Sequence, residues 1–164
     1  MSKSFVFIRH AKSSWAEPQL TDKERPLNKR GKRDGPFMAS YCKMVGIHLD
    51  KLISSPAKRA FRTAKYFSKE FNIEVVKESE LYFGSESDWM YLINNLNESV
   101  KFPAFFSHNP TITYFSNKLG NTFLDNVPTC GVVQFVSEAT TWSQVGENNT
   151  KMINYYFPKL VRQL

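Results

Sequence analysis

The sequence predicts an α/β fold built on a largely parallel sheet. Six short apolar runs, at about 4–9, 51–54, 73–76, 102–107, 131–136 and 152–157, alternate with stretches of helical periodicity. Three of those runs lead into segments rich in arginine or histidine: Arg9-His10, Ser55 to Arg59, and Ser107-His108. Ligands of open α/β sheets bind outside the carboxyl ends of the strands. The pattern therefore predicts one anion-binding site assembled from three distant loops.

Each element has its own signal. The first strand, Phe5-Val6-Phe7-Ile8, runs straight into Arg9-His10. Residues 28–46 suit a helix through Phe37, Met38, Tyr41 and Val45, with Gly35-Pro36 expected to kink it or delay its start. The second strand, Lys51-Leu52-Ile53, precedes the clearest helix. Ser55 is read as its cap and Pro56 as its first helical position. Ala57, Ala60, Phe61, Ala64, Phe67 and Phe71 form its apolar stripe, and Lys58, Arg62, Lys65 and Lys69 a separate basic one. Arg59 belongs to neither stripe. At about 100° per residue it shares a third face with Thr63 and Tyr66, in the first turn beside the strand end. Arg59, not Arg62, is thus assigned to the site.

A further helix begins near Ser85, paired with Asp88 as a cap, and buries Trp89, Leu92, Ile93 and Leu96. The next opens at Asn109-Pro110, a capping residue followed by proline. It buries Ile112, Phe115 and Leu119 and stops at Gly120. Residues 137–150 lack periodicity and are rich in Thr, Asn, Gly and Ser, so they are read as a surface connection.

The bulk numbers set the frame. At 164 residues the chain is about one domain, 1–164, with 41% hydrophobic and 23% charged residues. Its 14 phenylalanines predict a Phe-rich core. The opening apolar stretch is too short for a signal peptide, and no run approaches membrane-spanning length. Cys42 and Cys130 have no metal-ligand spacing and suggest no disulfide framework, so the cytoplasm is the expected compartment. The net charge of +7 favours anionic partners: nucleic acid, phosphorylated metabolites or an acidic protein surface. Lys23, Arg25, Lys29, Arg30, Lys32 and Arg33 fall within one segment, which is either a solvated surface or a steering patch.

The site residues suit phosphoryl chemistry. Arginine offers a forked, charged set of donors to a phosphoryl group. The free N–H groups that start the helices after Ser55 and Asn109 add more. Neighbouring positive charge disfavours imidazolium, which keeps His10 neutral and nucleophilic. Such an imidazole attacks phosphorus and splits hydrolysis into two displacements. There is no Walker loop, no His-Glu-x-x-His pair and no cluster of aspartates, so neither metal nor cofactor is expected.

Three blocks, taken as an ordered set, resemble the histidine phosphatase superfamily, the clan of phosphoglycerate mutases and histidine acid phosphatases. They are Arg9-His10-Ala11, the run from Ser55 to Ala64, and Ser107-His108-Asn109-Pro110. The length, together with Arg25-Pro26-Leu27-Asn28 and Gly31, is more similar to its small bacterial branch, the phosphohistidine phosphatases. The resemblance spans nearly the whole chain. It implies a three-layer α/β/α sandwich with a mixed, mostly parallel, phosphoglycerate mutase-like sheet. It also implies His10 as the phosphorylated nucleophile, Arg9 and Arg59 clamping the phosphate, and His108 as a further contact. Asn109 stands where members often offer a backbone N–H, and Arg25 where the small branch has an arginine near the mouth.

Two positions depart from the family pattern. Ala11 replaces a common glycine, and a small residue suffices there. Many members carry a general-acid glutamate upstream of a glycine, and only Glu80, before Gly84, has that look. Ser13 and Ser14 either touch phosphate or satisfy the loop backbone. His48 is read as a loop residue and Cys130 as structural, with Thr129 beside it near the pocket rim.

These readings predict a metal-independent phosphatase acting on phosphohistidine of a partner protein. Small phosphate esters or phosphoramidates are the alternative substrates. A basic module binding nucleic acid or phosphoproteins without catalysis is the alternative of another class. It explains the charge but not the paired histidines, so neither nucleic acid nor membrane is the favoured partner.

Overall fold

The computed structural model describes residues 1–164, Met1 to Leu164. Six strands form one sheet: β1 (Lys3–Arg9), β2 (Lys51–Ser54), β3 (Val75–Lys77), β4 (Pro103–Ser107), β5 (Val132–Ser137) and β6 (Thr150–Tyr156). Their order is β3-β2-β4-β1-β5-β6. Strands β1 to β4 run parallel, β5 alone is reversed, and β6 pairs antiparallel to β5. The sheet is therefore mixed and mostly parallel, as expected.

Alternation along the strands builds a core on each face. Phe5, Phe7, Ile53, Phe105, Val133 and Phe135 point to one face, against α4 (Glu86–Asn94) and α5 (Thr111–Leu119). Val6, Ile8, Leu52, Ala104, Phe106 and Val132 point to the other. That second face meets α1 (Lys29–Met44), α2 (Lys58–Phe71) and the short C-terminal helix Pro158–Val161. The result is the three-layer sandwich that the family resemblance implied. The first face is dominated by rings. Phe7 stacks against both Trp89 and Phe105, with centroids 5.0 and 4.8 Å apart, an offset aromatic arrangement that adds to simple burial.

Four readings of local structure need correction. Gly35-Pro36 neither kinks nor delays α1, which is continuous through Pro36. Proline removes one helical N–H, but Pro36 and Lys32, whose carbonyl loses its partner, are both exposed, so water can satisfy that oxygen. Ser55 does not cap α2, which begins at Lys58, and Pro56 lies outside it. The Ser55 hydroxyl is occupied by a tertiary partner described below. Asn109 does not cap α5. Its Oδ1 accepts from the Thr113 hydroxyl (2.7 Å), and its Nδ2 donates to Asn126 Oδ1 and the Val127 carbonyl. The connection 137–150 is not purely a surface feature. A short 3-10 turn, Trp142–Gln144, drives Trp142 fully into the core. Its indole N–H donates to the Val100 carbonyl (2.9 Å).

The remaining elements form where periodicity placed them, within two or three residues at the ends. Ser85 and Asp88 make the capping box of α4, and Ile112, Phe115 and Leu119 of α5 are buried. Both cysteines are free and buried. No helix is long and apolar enough to cross a membrane.

Candidate active site

The sheet topology selects one crevice. Strands β4 and β1 are neighbours, yet the chain leaves β1 toward β2 and leaves β4 toward β5, on opposite sides. Such a divergence opens a cleft beyond the carboxyl ends of the two strands. Arg9 ends β1 and pairs in register with Ser107, which ends β4. His10 and His108 are the next residue on each strand. Their ring centroids lie 5.1 Å apart, close enough to share one tetrahedral anion.

Strand β2 supplies the third component. Ser54 pairs with Phe106, and the chain then turns into α2, whose first turn carries Arg59. Arg59 is 5% exposed, while Arg62 is exposed, as the three-face reading of this helix required. Thr63 on the same face ties the loops together. It accepts the Ala11 N–H (2.9 Å) and donates to the Arg59 carbonyl (2.8 Å).

A second brace holds the loop after β1. Asn28 caps α1 by accepting the Gly31 N–H, and its own N–H donates to the Lys12 carbonyl (2.9 Å). Gly31 lies so close to Lys12 that an added Cβ would overlap that carbonyl. The Asn28-to-Gly31 motif is thus a buttress for the segment carrying His10.

The cleft encloses about 560 Å³. Arg9, His10, Ser13, Arg25, Arg59, His108 and Asn109 all line it. Glu80 does not. It opens a one-turn helix, α3 (Glu80–Phe83), and its carbonyl accepts the Trp89 indole N–H (3.0 Å). Further round that turn, Tyr82 and Phe83 reach the cleft. Arg25 is 8% exposed, with its guanidinium bonded to the Ser13 hydroxyl (2.9 Å), the Ser14 carbonyl and Asp22. Its Cζ lies 3.5 Å from the ring centroid of Trp15, which stands exposed at the rim.

Five lining residues went unassigned in the sequence: Lys12, Trp15, Asp22, Tyr82 and Phe83. Asp22 is the most telling. Its carboxylate holds Arg59 Nη2 (3.0 Å) and the Tyr82 hydroxyl (2.8 Å), and its carbonyl holds Arg59 Nη1 (2.6 Å). No periodicity marks Asp22, which sits in an irregular loop. Tyr82 lies in the Glu80–Gly84 segment that the sequence did single out, two residues from the one chosen. Thr129 also lines the cleft, where its hydroxyl accepts from Arg30. Cys130 is buried, its N–H donating to the Arg9 and His10 carbonyls.

The protonation states follow from the surroundings. His10 Nδ1 lies 2.7 Å from the Ala11 carbonyl. A carbonyl can only accept, so Nδ1 carries the hydrogen and Nε2 keeps its lone pair. Burial, then the neighbouring His108, and beyond them Arg59 and Arg9, hold the His10 pKa well below 6.5 against the opposing Ala11 bond. Burial and then the Arg59 charge bring His108 down to about 3. Both rings are neutral at physiological pH. Burial, and then Arg59, also works against the Arg9 guanidinium.

Only four buried side-chain polar atoms lack a hydrogen-bond partner: Arg9 Nε, Arg59 Nε, His108 Nδ1 and Ser116 Oγ. Three of them belong to this cleft. Unpaired buried donors are costly, and their concentration at one place calls for a ligand that accepts. No three side chains among His, Cys, Asp and Glu come together as metal ligands.

The profile of the histidine phosphatase superfamily, branch 1, matches residues 5–91. The chain belongs to this superfamily. Two curated relatives are 31% identical to it. One is an uncharacterized chloroplastic protein of Arabidopsis thaliana, over 83 residues (51% of this chain, 37% of that one). The other is phosphoserine phosphatase 1 of Hydrogenobacter thermophilus, over 106 residues (62% and 47%). The chain spans less than half the length of either. Among solved structures, SixA from Agrobacterium tumefaciens superposes with a TM-score of 0.80 at 22% identity, covering 95% of this chain and 98% of that one. The protein histidine phosphatase SixA complexed with tungstate gives 0.81 at 20% identity, covering 96% and 99%. This member of the superfamily thus shares their fold along nearly its full length.

Proposed function

We propose that this histidine phosphatase passes a phosphoryl group to Nε2 of His10 and then to water, with phosphohistidine on a partner protein as its substrate. One observation carries the reading: the free Nε2 lone pair of His10 lies beside guanidinium and imidazole donors that have no protein partner. In the first displacement the lone pair forms the P–N bond while the bond to the leaving group breaks, and its electron pair stays with that group. In the second, water attacks phosphorus, the pair returns to Nε2, and one water proton is released with the phosphate. Arg9, Arg59 and His108 meet the charge on the transferring oxygens, where most catalysis of phosphoryl transfer lies. Asn109, Ser13 and Arg25 shape the wall around them. The guanidinium groups supply the positive charge that the reaction requires, so no metal or cofactor enters the scheme.

The cleft favours a protruding side chain over an engulfed metabolite. Its rim carries Trp15, 73% exposed, and the half-buried cation Lys12, which suit the surface of an acidic or phosphorylated protein. The family resemblance and the SixA-like fold support the same choice. The similarity to a relative named phosphoserine phosphatase 1 supports small phosphate esters as the second reading.

The test is a labelled phosphoenzyme. Wild-type protein mixed with a phosphohistidine protein should trap a phosphate that survives alkali and is lost in acid. His10→Ala should form none, with turnover lowered by on the order of 10⁴ or more. Activity should persist in excess chelator. Full turnover by His10→Ala would overturn the nucleophile, and a consistent preference for small esters would overturn the substrate.

A further inference from the structure

We infer that Asp22 selects substrates whose phosphoryl group leaves from a protonated nitrogen: its carboxylate accepts the ring N–H of a phosphohistidine leaving group while the arginines hold the phosphoryl oxygens. This rests on the phosphatase reading above and adds the residue that sets its specificity.

Asp22 is the single carboxylate among the residues lining the cleft, against Arg9, Lys12, Arg25 and Arg59. It is held rigidly. Its carbonyl accepts from Arg59 Nη1, and it opens a one-turn 3-10 helix capped reciprocally by Thr21 and Glu24. Its two oxygens are unequally engaged. Oδ2 takes short bonds from Arg59 and Tyr82, whereas Oδ1 takes only a 3.3 Å bond from Arg25 Nε. A carboxylate oxygen accepts more than one donor, so Oδ1 has spare capacity on a side chain that is half exposed and lines the cleft.

The groups facing Asp22 are Arg25, Arg59 and Tyr82. Burial opposes its charge, yet the hydrogen bonds of Tyr82 and Arg59, with the Arg59 charge, bring its pKa down to about 2. Asp22 is therefore always an anion near neutrality and never a proton donor. The cleft holds no other carboxyl group, and an ester leaves as an alkoxide or phenoxide that benefits from a donated proton.

A phosphohistidine avoids that need. In its cationic form the ring nitrogen remote from phosphorus carries a hydrogen, and a hydrogen bond to a carboxylate favours that form. When His10 Nε2 forms its bond to phosphorus, the P–N bond of the substrate breaks and its electron pair returns to the substrate ring. The positive charge of the ring is discharged, and a neutral imidazole departs with its N–H still on Asp22. No proton is transferred in the step. The same fixed negative charge repels a second anionic group on a small ester, so selection acts against the alternative substrates as well as for the preferred one.

The experiment compares kcat/KM for free phosphohistidine and for an aryl phosphate in wild type, Asp22→Asn and Tyr82→Phe, with folding checked by circular dichroism. The asparagine keeps a carbonyl acceptor for Tyr82 and Arg59 but loses the charge. The expected result is at least a tenfold fall in the phosphohistidine-to-aryl ratio for Asp22→Asn, with the ratio retained in Tyr82→Phe, which leaves the carboxylate in place. Equal losses on both substrates would make Asp22 a mere anchor for Arg59 and overturn the inference. Equal gains would make it a competitor for Arg59 and overturn it too. Wild-type protein inert toward both substrates would instead overturn the phosphatase reading beneath it.

Discussion

The Ser55 hydroxyl lies 2.7 Å from Nε2 of His108. Ser55 Oγ already accepts the Ala57 N–H (3.2 Å), and it has no other acceptor for its own hydrogen. The arrangement that satisfies every atom has Ser55 donating to Nε2. A neutral His108 then carries its hydrogen on Nδ1, the buried atom with no protein partner. A serine just past β2 thus sets the tautomer of a histidine just past β4, and leaves the Nδ1–H of that ring as an unpartnered donor.

Ser55→Ala should release that constraint. It leaves His108 Nε2 without its partner in a buried setting, at a cost of about 1–3 kcal/mol in stability. A tenfold to hundredfold loss of kcat is expected, at about 1.4 kcal/mol per factor of ten. Nitrogen-15 imidazole shifts should show His108 moving from a single Nδ1–H form to a mixture. An unchanged tautomer in the variant would refute the assignment.

Acid should destabilise the folded protein through its two histidines. Both have folded pKa values below the ordinary 6.5, His108 at about 3. The unfolded chain therefore binds more protons than the folded one below pH 6.5. The stabilisation is fully present above that value and is lost as pH falls from 6.5 toward about 3, by up to about 1.4 kcal/mol per pH unit for each histidine. Melting temperatures between pH 7.5 and 4.5 should fall, and more gently in His108→Gln. Saturating tungstate should also soften the fall, since a bound oxyanion favours imidazolium. A flat profile in the unliganded wild type would contradict the burial of these rings.

Gly31→Ala should damage activity from outside the cleft. The new methyl group meets the Lys12 carbonyl, and backbone on both sides must shift. Overpacking of this kind costs about 1–3 kcal/mol. Because Lys12 lies two residues from His10, kcat should fall further than KM rises. Denaturant melts and steady-state kinetics on one preparation would show both effects, and wild-type values for both would remove the buttress.

Glu80→Gln should be nearly silent. Its carbonyl, not its carboxylate, makes the contact that anchors Trp89, and it does not line the cleft. A change in kcat/KM below about threefold on an aryl phosphate is expected across the pH range. Loss of the basic limb of the rate profile in this variant would restore Glu80 as a proton donor.

The regular elements were legible because burial writes a period into the chain. Phe67 and Ala64 on α2 and Ile112 and Phe115 on α5 repeat at helical spacing, and their neighbours do not. Arg59 was legible for the same reason, as a charged residue off both stripes of an amphipathic helix. The exceptions were set by partners far away in sequence. Trp142 sits in a stretch with no period because the core takes a single side chain from it. Pro36 is tolerated because its face of α1 meets water. Asp22 gives no local signal because it has no periodic role: it is fixed by Arg59 and Tyr82, 37 and 60 residues further along the chain.

By itself the sequence determined the α/β architecture, the strand ends that carry Arg9, His10, Arg59 and His108, and membership of a phosphoryl-transfer family. Those follow from local periodicity and from short ordered motifs. The tertiary structure decided which nitrogen of each histidine is free, which glycine braces the loop after β1, and that an aspartate rather than a glutamate enters the cleft. The His10 tautomer is set by the carbonyl of the next residue, Ala11; the others depend on a hydrogen bond or a close approach between loops that only the folded sheet brings within about 3 Å of one another.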